Sequence, residues 1–230
     1  MSNFTTWRSL IDGLELGAIP DSEDLHSHYD AFDLNLNDGD SVTSWTDSTS
    51  NGHDLTGGSP VYRDSYINGN PAVVGDGTED ELSGSIASLS TPMHFFFVAQ
   101  DEDTDELSTF FSTDDRNDGA SILSRGNGDE YRAYYETNSA DFGTVDNEVH
   151  IYELLYTDTD FTVWKDGAEE TSVSDSSEFT ATEINLFRRV PDDDLNQDGP
   201  IGEFLQYDGD KTEIQSDIRN YLSDKWGIAI

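Results

Sequence analysis

The stretch that decides the fold is residues 201–228, IGEFLQYDGDKTEIQSDIRNYLSDKWGI. Its first part predicts a strand over residues 201–209, and the remainder predicts a helix over residues 211–225. The apolar side chains of that helix fall on one face: Ile214, Ile218, Tyr221 and Leu222. Trp226 and Ile228 follow, and we expect them to dock the chain end. The stretch therefore predicts a strand closed by one short helix that packs on a β-structure.

The chain between residues 25 and 190 has a different pattern. Short apolar or alternating runs are separated by Gly, Asn, Asp and Ser, as in SVTSWTD (41–47) and VHIYELLYT (149–157). Many short strands with turn signals and no helices between them indicate a β-sandwich or barrel. The run MHFFFVAQ (93–100) is almost continuously apolar and predicts a central strand buried on both faces.

The first residues carry a separate helical pattern. Large apolar side chains recur there at intervals of three and four residues: Phe4, Trp7, Leu10, Ile11 and Leu14. Gly17 and Pro20 end the pattern. We therefore divide the chain into a helical docking segment, residues 1–24, and a β-domain, residues 25–230, that includes the closing helix. Because the β-domain is complete without the apolar stripe, we expect the stripe to be an assembly surface, in a homo-oligomer or on a larger particle.

The charge balance is extreme. The chain has 49 acidic residues against 11 basic ones, which gives a formal net charge of −38. In dilute salt such self-repulsion opposes the compact state, whereas at about 1 M salt the Debye length falls to about 3 Å and the repulsion is screened. We therefore expect the protein to work in a halophilic setting. Intrinsic disorder is the alternative, but four Trp, ten Tyr and twelve Phe argue for a folded core.

Composition also excludes several classes of site and partner. A surface this negative repels nucleic-acid phosphates and anionic lipid headgroups, so we expect neither nucleic-acid binding nor membrane insertion. No cysteine is present, which excludes disulfides and thiolate metal sites. No window approaches the 18 apolar residues that a membrane-spanning helix needs.

Three segments together resemble a known family. The ending at 201–228, the stretch SVTSWTDSTSNGHDLTGGSPVY (41–62) and the stretch INGNPAVVGDGTEDELSG (67–84) resemble concanavalin A-like, LamG-type jelly-roll domains of tailed-virus and other adhesive structural proteins. With FTVWKDG (161–167), the resemblance spans residues 25–228. The family's Ser-Gly-Asn-Gly stands here as Thr-Ser-Asn-Gly, and its Phe-Asp-Gly as Gly-Asp-Gly. The resemblance implies an all-β fold, a two-sheet antiparallel jelly-roll sandwich with short N-terminal and C-terminal helices.

Such a fold hosts lectins, glycanases and structural modules, so it does not by itself decide the function. Retaining glycanases on this fold present paired carboxylates on one strand, as in Glu-x-Asp-x-Glu, because nucleophile and acid must lie about 5 to 5.5 Å apart. The sequence has no such triplet. We therefore expect a non-catalytic protein.

One segment has the pattern of a calcium loop. DLNQDG (194–199) matches the Asp-x-Asn-x-Asp-Gly opening, in which oxygen ligands at alternate positions wrap a hard cation. The predicted ligands are Asp194, Asn196 and Asp198. Leu205 stands where such loops carry a bidentate Glu. Calcium is thus the candidate ion, and an ordinary acidic loop is the alternative.

The aromatic run YRAYYE (131–136) is the candidate sugar-binding segment. The candidate ligand-binding residues are Tyr131, Tyr134 and Tyr135, whose rings suit stacking on sugar faces. Alternation along a strand places Tyr131 and Tyr135 on one face and Tyr134 on the other. One of these two sets is therefore expected to belong to the core.

These observations predict a non-catalytic structural or adhesive protein of a halophilic archaeal virus, a tail fibre or capsid-surface component located on the virion and assembled in the host cytoplasm. Its expected partners are other virion proteins, further copies of the chain and host-surface glycans. A glycanase on the same fold and a cellular surface lectin are the alternatives.

Overall fold

The computed structural model describes residues 17–102, 107–114, 119–125, 130–135, 138–174, 178–189 and 192–230. The helix predicted over the first residues, including its five apolar side chains, lies outside this part of the chain. The described chain opens with a short 3₁₀ turn, Ser22–Asp24, directly before the first strand. A second 3₁₀ turn, Ala31–Asp33, follows that strand, and Asp30 caps it by accepting a hydrogen bond from the Phe32 amide.

The described residues form eighteen strands and one α-helix. In chain order these are β1 (Leu25–Asp30), β2 (Ser44–Trp45), β3 (Leu55–Gly57), β4 (Val61–Ile67), β5 (Asn70–Asp76), β6 (Leu82–Ser90), β7 (Met93–Ala99), β8 (Leu107–Thr113), β9 (Ala120–Arg125), β10 (Tyr131–Tyr135), β11 (Asn138–Phe142), β12 (His150–Tyr156), β13 (Asp160–Lys165), β14 (Ala168–Ser174), β15 (Thr180–Leu186), β16 (Arg188–Arg189), β17 (Asp192–Asn196), β18 (Asp198–Asp208) and α1 (Gln215–Trp226).

Two eight-stranded antiparallel sheets face each other. Sheet A has the order β14-β13-β12-β7-β18-β5-β4, and β1 also pairs with β18. Sheet B has the order β11-β10-β9-β8-β15-β6-β3-β2. A separate pair, β16 and β17, lies in the chain between β15 of sheet B and β18 of sheet A. The arrangement is a two-sheet antiparallel sandwich consistent with a jelly roll, which confirms the predicted fold class.

The core lies between the sheets and is largely aromatic. Every residue of β7 is buried, as predicted for a central strand covered on both faces. Phe95 and Phe97 point into the sandwich, where their rings lie 5.1 and 5.5 Å from that of Phe111. Phe204 joins them from β18 at 6.0 and 5.8 Å. Rings at these separations contribute stability beyond their buried area, so this cluster fixes how the two sheets pack.

Helix α1 closes sheet A, as the sequence predicts, although it begins at Gln215 and not at residue 211. The apolar part of its buried face consists of Ile218, Leu222 and Trp226. Trp226 packs on Gly202, where a Cβ atom would lie 2.7 Å from the indole ring. Only glycine allows so close an approach. Within the described ranges, no helix is long and apolar enough to span a bilayer.

Candidate functional site: a polar row on the outward face of sheet B

Strand β10 sorts the three candidate tyrosines onto opposite faces. Tyr131 and Tyr135 are fully buried, and the ring of Tyr131 lies 5.4 Å from that of Tyr152 in the core. The structure therefore corrects the expectation for Tyr131 and Tyr135, because a ring inside the sandwich has no face open to a ligand. Tyr134 points outward, is half-buried, and keeps its place as a candidate.

Tyr134 belongs to a larger set. The strand registers align eight outward positions directly across sheet B, and all carry uncharged polar side chains: Ser139, Tyr134, Ser121, Ser112, Asn185, Ser83, Thr56 and Ser44. We call this set the polar row. With strands about 4.8 Å apart, seven intervals extend about 34 Å across the sheet. Sequence reasoning missed the row because its members come from eight strands that are distant along the chain.

The middle of the polar row is covered. Strands β16 and β17 pack over β8 and bury three members: Ser112, Ser121 and Asn185. Two open arms remain. Ser44, Thr56 and Ser83 form the first open arm, and Tyr134 and Ser139 form the second.

Phe187, a residue with a strained backbone, forms the turn between β15 and the two strands that cover the row. Phe187 follows β15 with a φ of 69°, an outlier for a bulky side chain. The buried ring holds it there. Its amide donates to the Phe110 carbonyl at 3.0 Å, and its carbonyl accepts from the Gln197 amide at 2.8 Å. Such strain costs about 1 to 3 kcal/mol and tends to occur at functional sites. The turn at Phe187 therefore supports a role for this face.

Within the part of the chain that the structure describes, several buried polar atoms beneath the strand pair have no hydrogen-bond partner. Both amide atoms of Asn185 are unpaired, as are the hydroxyl of Ser121 and that of Thr109, which lies on the same face. All three side chains are at most 1% exposed. In contrast, Ser112 donates to the Arg188 carbonyl at 3.1 Å. An unpaired buried polar group costs about 1 to 3 kcal/mol, so the polarity of this face is not explained by stability.

Three arginines flank the polar row: Arg132, Arg188 and Arg189. Arg132 binds both carboxylate oxygens of Asp141, at 2.5 and 2.9 Å. Arg188 pairs with Glu81. The guanidinium of Arg189 lies 4.1 Å from the centre of the Tyr134 ring, within the range of a cation–π contact. Each arginine beside the row therefore contacts either a carboxylate or the face of an aromatic ring.

The first open arm ends at a shallow surface pocket. Residues 33–36 and 44–46 line it, and Ser44 is therefore both a pocket residue and a member of the polar row. Trp45 is fully buried, so its ring presents no open face to a ligand there. The pocket extends the accessible surface beyond the outer edge of sheet B.

The face of sheet A under α1 has a different chemistry, a cluster of buried charges. The Lys225 ammonium donates to Asp30 at 2.7 Å and to Glu203 at 2.6 Å, and His28 contacts Glu203 at 2.8 Å. Burial opposes ionisation of Glu203, yet the positive charge of Lys225 and the His28 hydrogen bond lower the pKa of Glu203 to about 2. Burial, and then the charge of Glu203, raise the pKa of Asp30.

In the part of the chain that is described, the side chains of His28, Asp30 and Glu203 are the one group of acidic and histidine residues close enough to bind a metal ion together. Lys225 already supplies a cation to them, because its ammonium contacts both carboxylates and the Tyr221 hydroxyl at 3.0 Å. A buried ammonium with these hydrogen bonds satisfies the carboxylates. The cluster is therefore a structural link between α1 and sheet A.

The segment predicted to be a calcium loop is extended. Asn196 lies in β17 opposite Arg188, and Asp198 begins β18 opposite Asp76. The side chain of Asp194 lies outside the described residues. Two strands do not wrap a cation as a single loop does, which corrects the predicted geometry. Calcium binding itself stays a prediction. The predicted assembly residues, Phe4 to Leu14, also lie outside the described part, and their role stays a prediction.

Several solved structures have a similar fold, among them an arabinanase domain, a neurotoxin and a sialidase. Domain 4 of AbnA, a GH43 extracellular arabinanase from Geobacillus stearothermophilus, solved in complex with arabinotriose, has a TM-score of 0.64 and 19% identity, covering 86% of this chain and 98% of that domain. No model of a protein family matches the sequence, and no curated protein matches it.

Two further solved structures are similar over most of this chain. One is of botulinum neurotoxin type C, whose cell entry depends on two ganglioside molecules (TM-score 0.62, 11% identity, 90% of this chain, 51% of that one). The other is Trypanosoma rangeli sialidase in complex with the inhibitor DANA (TM-score 0.61, 13% identity, 90% of this chain, 34% of that one). This chain thus spans about half of the first and about a third of the second. At these identities the likeness establishes the fold.

Proposed function

We propose that this domain binds carbohydrate and that the outward face of sheet B is its binding face. The polar row carries the proposal. A β-sandwich gains no stability from an uncharged polar band with unpaired amide and hydroxyl groups at its centre. Saccharides present many hydroxyls, and side-chain hydroxyls and amides both donate to and accept from them.

The two open arms suit different parts of such a ligand. Thr56 and Ser83 offer hydroxyls on a flat strand surface, next to the pocket that Ser44 lines. Tyr134 lies on the other side of the covering strands, where it packs one ring face on the Arg189 guanidinium and offers the remainder of its amphipathic ring. The binding mode that we propose is contact with the open arms, with water completing hydrogen bonds where the fit is loose.

The fold comparisons support the ligand class. The arabinanase domain was solved with arabinotriose, and the neurotoxin interacts with gangliosides. These proteins share the sandwich with this chain at identities of 19% and 11%, so the specific sugar is not transferred.

We also propose that the function is non-catalytic. Two buried carboxylates of sheet A, Glu153 and Glu203, are engaged by cations of α1: Arg219 lies 3.3 Å from Glu153, and Lys225 lies 2.6 Å from Glu203. A glycosidase acid or nucleophile must reach its substrate, and these groups lie under the helix. Release of reducing ends from a bound polysaccharide would contradict this part of the proposal.

The proposed setting is a virion surface, where glycan binding would attach the particle to a host. This location stays a prediction from the sequence, together with the halophilic setting and the homo-oligomer. Mass spectrometry of purified particles tests it, because a virion component must be present there in stoichiometric amounts.

Affinity chromatography at molar NaCl on columns that carry immobilised arabinan, xylan, mannan or sialylated glycans tests the binding function. We expect at least one polysaccharide to retard the protein. The double variant Thr56→Ala/Ser83→Ala should lose that retardation, because it removes two hydroxyls of the first open arm. The matched control, Thr171→Ala/Ser174→Ala, removes two hydroxyls from β14 at the far edge of sheet A and should bind normally. No retardation by any glycan, or equal binding by both variants, would contradict the proposal.

A further inference from the structure

We infer that the ligand of the polar row is an uncharged saccharide, which deepens and rests on the proposed function. The first observation is the composition of the row. Acidic residues make up 49 of 230 residues, yet none of the eight aligned positions is acidic, and none is basic. Five of the eight positions, those of the two open arms, are exposed or half-buried, and such strand positions in so acidic a chain readily accept Asp or Glu. The uncharged open arms therefore mark a surface that recognises its ligand by hydrogen bonds.

The second observation is that Arg132 and Arg188, two of the three arginines beside the row, already pair with carboxylates, while Arg189 packs on the Tyr134 ring. Arg132 and Asp141 form a two-bond pair in the register position next to Tyr134 and Ser139. Arg188 pairs with Glu81 on the other side of the covered centre. A carboxylate on the ligand would have to break one of these pairs to gain Arg132 or Arg188 as a counter-ion. Breaking the Arg132 pair would leave Asp141 facing the ligand with like charge.

The third observation is the field of the whole protein. A net charge of −38 repels an anionic ligand at long range in dilute salt, and screening at molar salt removes long-range attraction as well as repulsion. Ionic recognition is therefore weak under either condition. Hydrogen bonds from hydroxyl and amide groups are short-range and keep their strength in both.

Isothermal titration calorimetry with matched ligand pairs tests this inference. Each pair differs by a carboxylate: mannan and mannuronate oligosaccharides, unsubstituted and glucuronate-substituted xylan oligosaccharides, and lactose and sialyl-lactose. The titrations use the full chain at the lowest salt concentration that keeps it folded, where charge effects are largest. We expect the neutral member of any bound pair to bind at least about tenfold more tightly.

One variant makes the test specific to the polar row. Asp141→Asn frees the guanidinium of Arg132. This variant should therefore bind the acidic member more tightly than the wild-type protein does, and the ratio of the two affinities, neutral to acidic, should fall. Glu183→Gln is the control, because it also removes one carboxylate from an outward position of sheet B without releasing a paired arginine of the row. Tighter binding of the acidic member by the wild-type protein would overturn the inference while leaving carbohydrate binding intact. No binding of any pair would overturn the proposed function itself.

Discussion

The ammonium nitrogen of Lys225 lies 2.6 Å from a carboxylate oxygen of Glu203, and both side chains are at most 1% exposed. This pair joins the last turn of α1 to β18, an inner strand of sheet A. Asp30 adds a second carboxylate 2.7 Å from the same ammonium, and the Trp226 indole donates to Glu203 at 2.8 Å. The closing helix is therefore held by a buried ionic contact as well as by its apolar face.

Replacing Lys225 with Met should strongly destabilise the protein. The variant leaves Asp30 and Glu203 buried without their cation, and breaking a buried pair in this way costs about 3 to 5 kcal/mol. Urea unfolding at fixed high salt measures the free energy of unfolding. Lys211→Met is the control: Lys211 pairs with Asp21 and Asp24, whose side chains are 31% and 51% exposed, so we expect a loss of about 1 kcal/mol or less. Equal losses in the two variants would contradict this reading.

Acid should weaken the same contact. The pKa of Glu203 is about 2 in the folded protein against 4.5 for an ordinary glutamate. A carboxyl whose pKa is lower when folded contributes stability above pH 4.5, and that contribution is lost as the pH falls from 4.5 towards 2. The raised pKa of Asp30 acts in the opposite sense above its ordinary value of 3.8. Comparing urea unfolding of wild type and Glu203→Gln across this range isolates the effect, and parallel pH profiles would refute it.

Low salt should unfold the domain. With a net charge of −38, the folded chain depends on screening of its own repulsion. Circular dichroism should record a cooperative loss of β-structure as NaCl is diluted from molar concentration. Replacement of the salt by sucrose separates screening from general solute effects, because sucrose favours burial without adding ions. A fully folded protein in dilute buffer would show that the acidic surface is tolerated without salt.

Asn185→Leu should leave stability unchanged or raise it by up to about 3 kcal/mol. The asparagine amide is buried with both polar atoms unpaired, so leucine removes a penalty and loses no hydrogen bond. Asn70→Leu is the control: this asparagine donates to the Lys225 carbonyl at 3.1 Å, and its loss should destabilise. A large loss of stability in Asn185→Leu, measured by urea unfolding, would show that the amide is needed in the folded state.

Much of the fold follows from local patterns in the sequence. The apolar run around Phe96 and the stripe through Ile218 and Leu222 predict a buried strand and a docked helix because burial selects those side chains directly. Strand β6, Leu82–Ser90, escapes the same reasoning. Four of its nine residues are Ser and one is Gly, and its strand character comes from pairing with β3 and β15.

The candidate site was less predictable than the fold. Alternation in YRAYYE separates Tyr134 from Tyr131 and Tyr135, but it does not say which set faces the core. The polar row depends on the register of eight strands, and a shift of one residue in any strand would remove its member from the face. The turn at Phe187 is equally hidden, because a phenylalanine gives no sequence signal for a positive φ.

The central claim is that carbohydrate binds on the outward face of sheet B, and backbone-amide chemical-shift mapping by NMR tests it most directly. A saccharide that retards the wild-type protein is titrated into the ¹⁵N-labelled full chain at high salt. We predict that the largest shifts fall on the two open arms, at Ser44, Thr56, Ser83, Tyr134 and Ser139, with β13, β14 and α1 unchanged. Shifts that cluster on β13, β14 or α1, with the polar row unchanged, would contradict the claim.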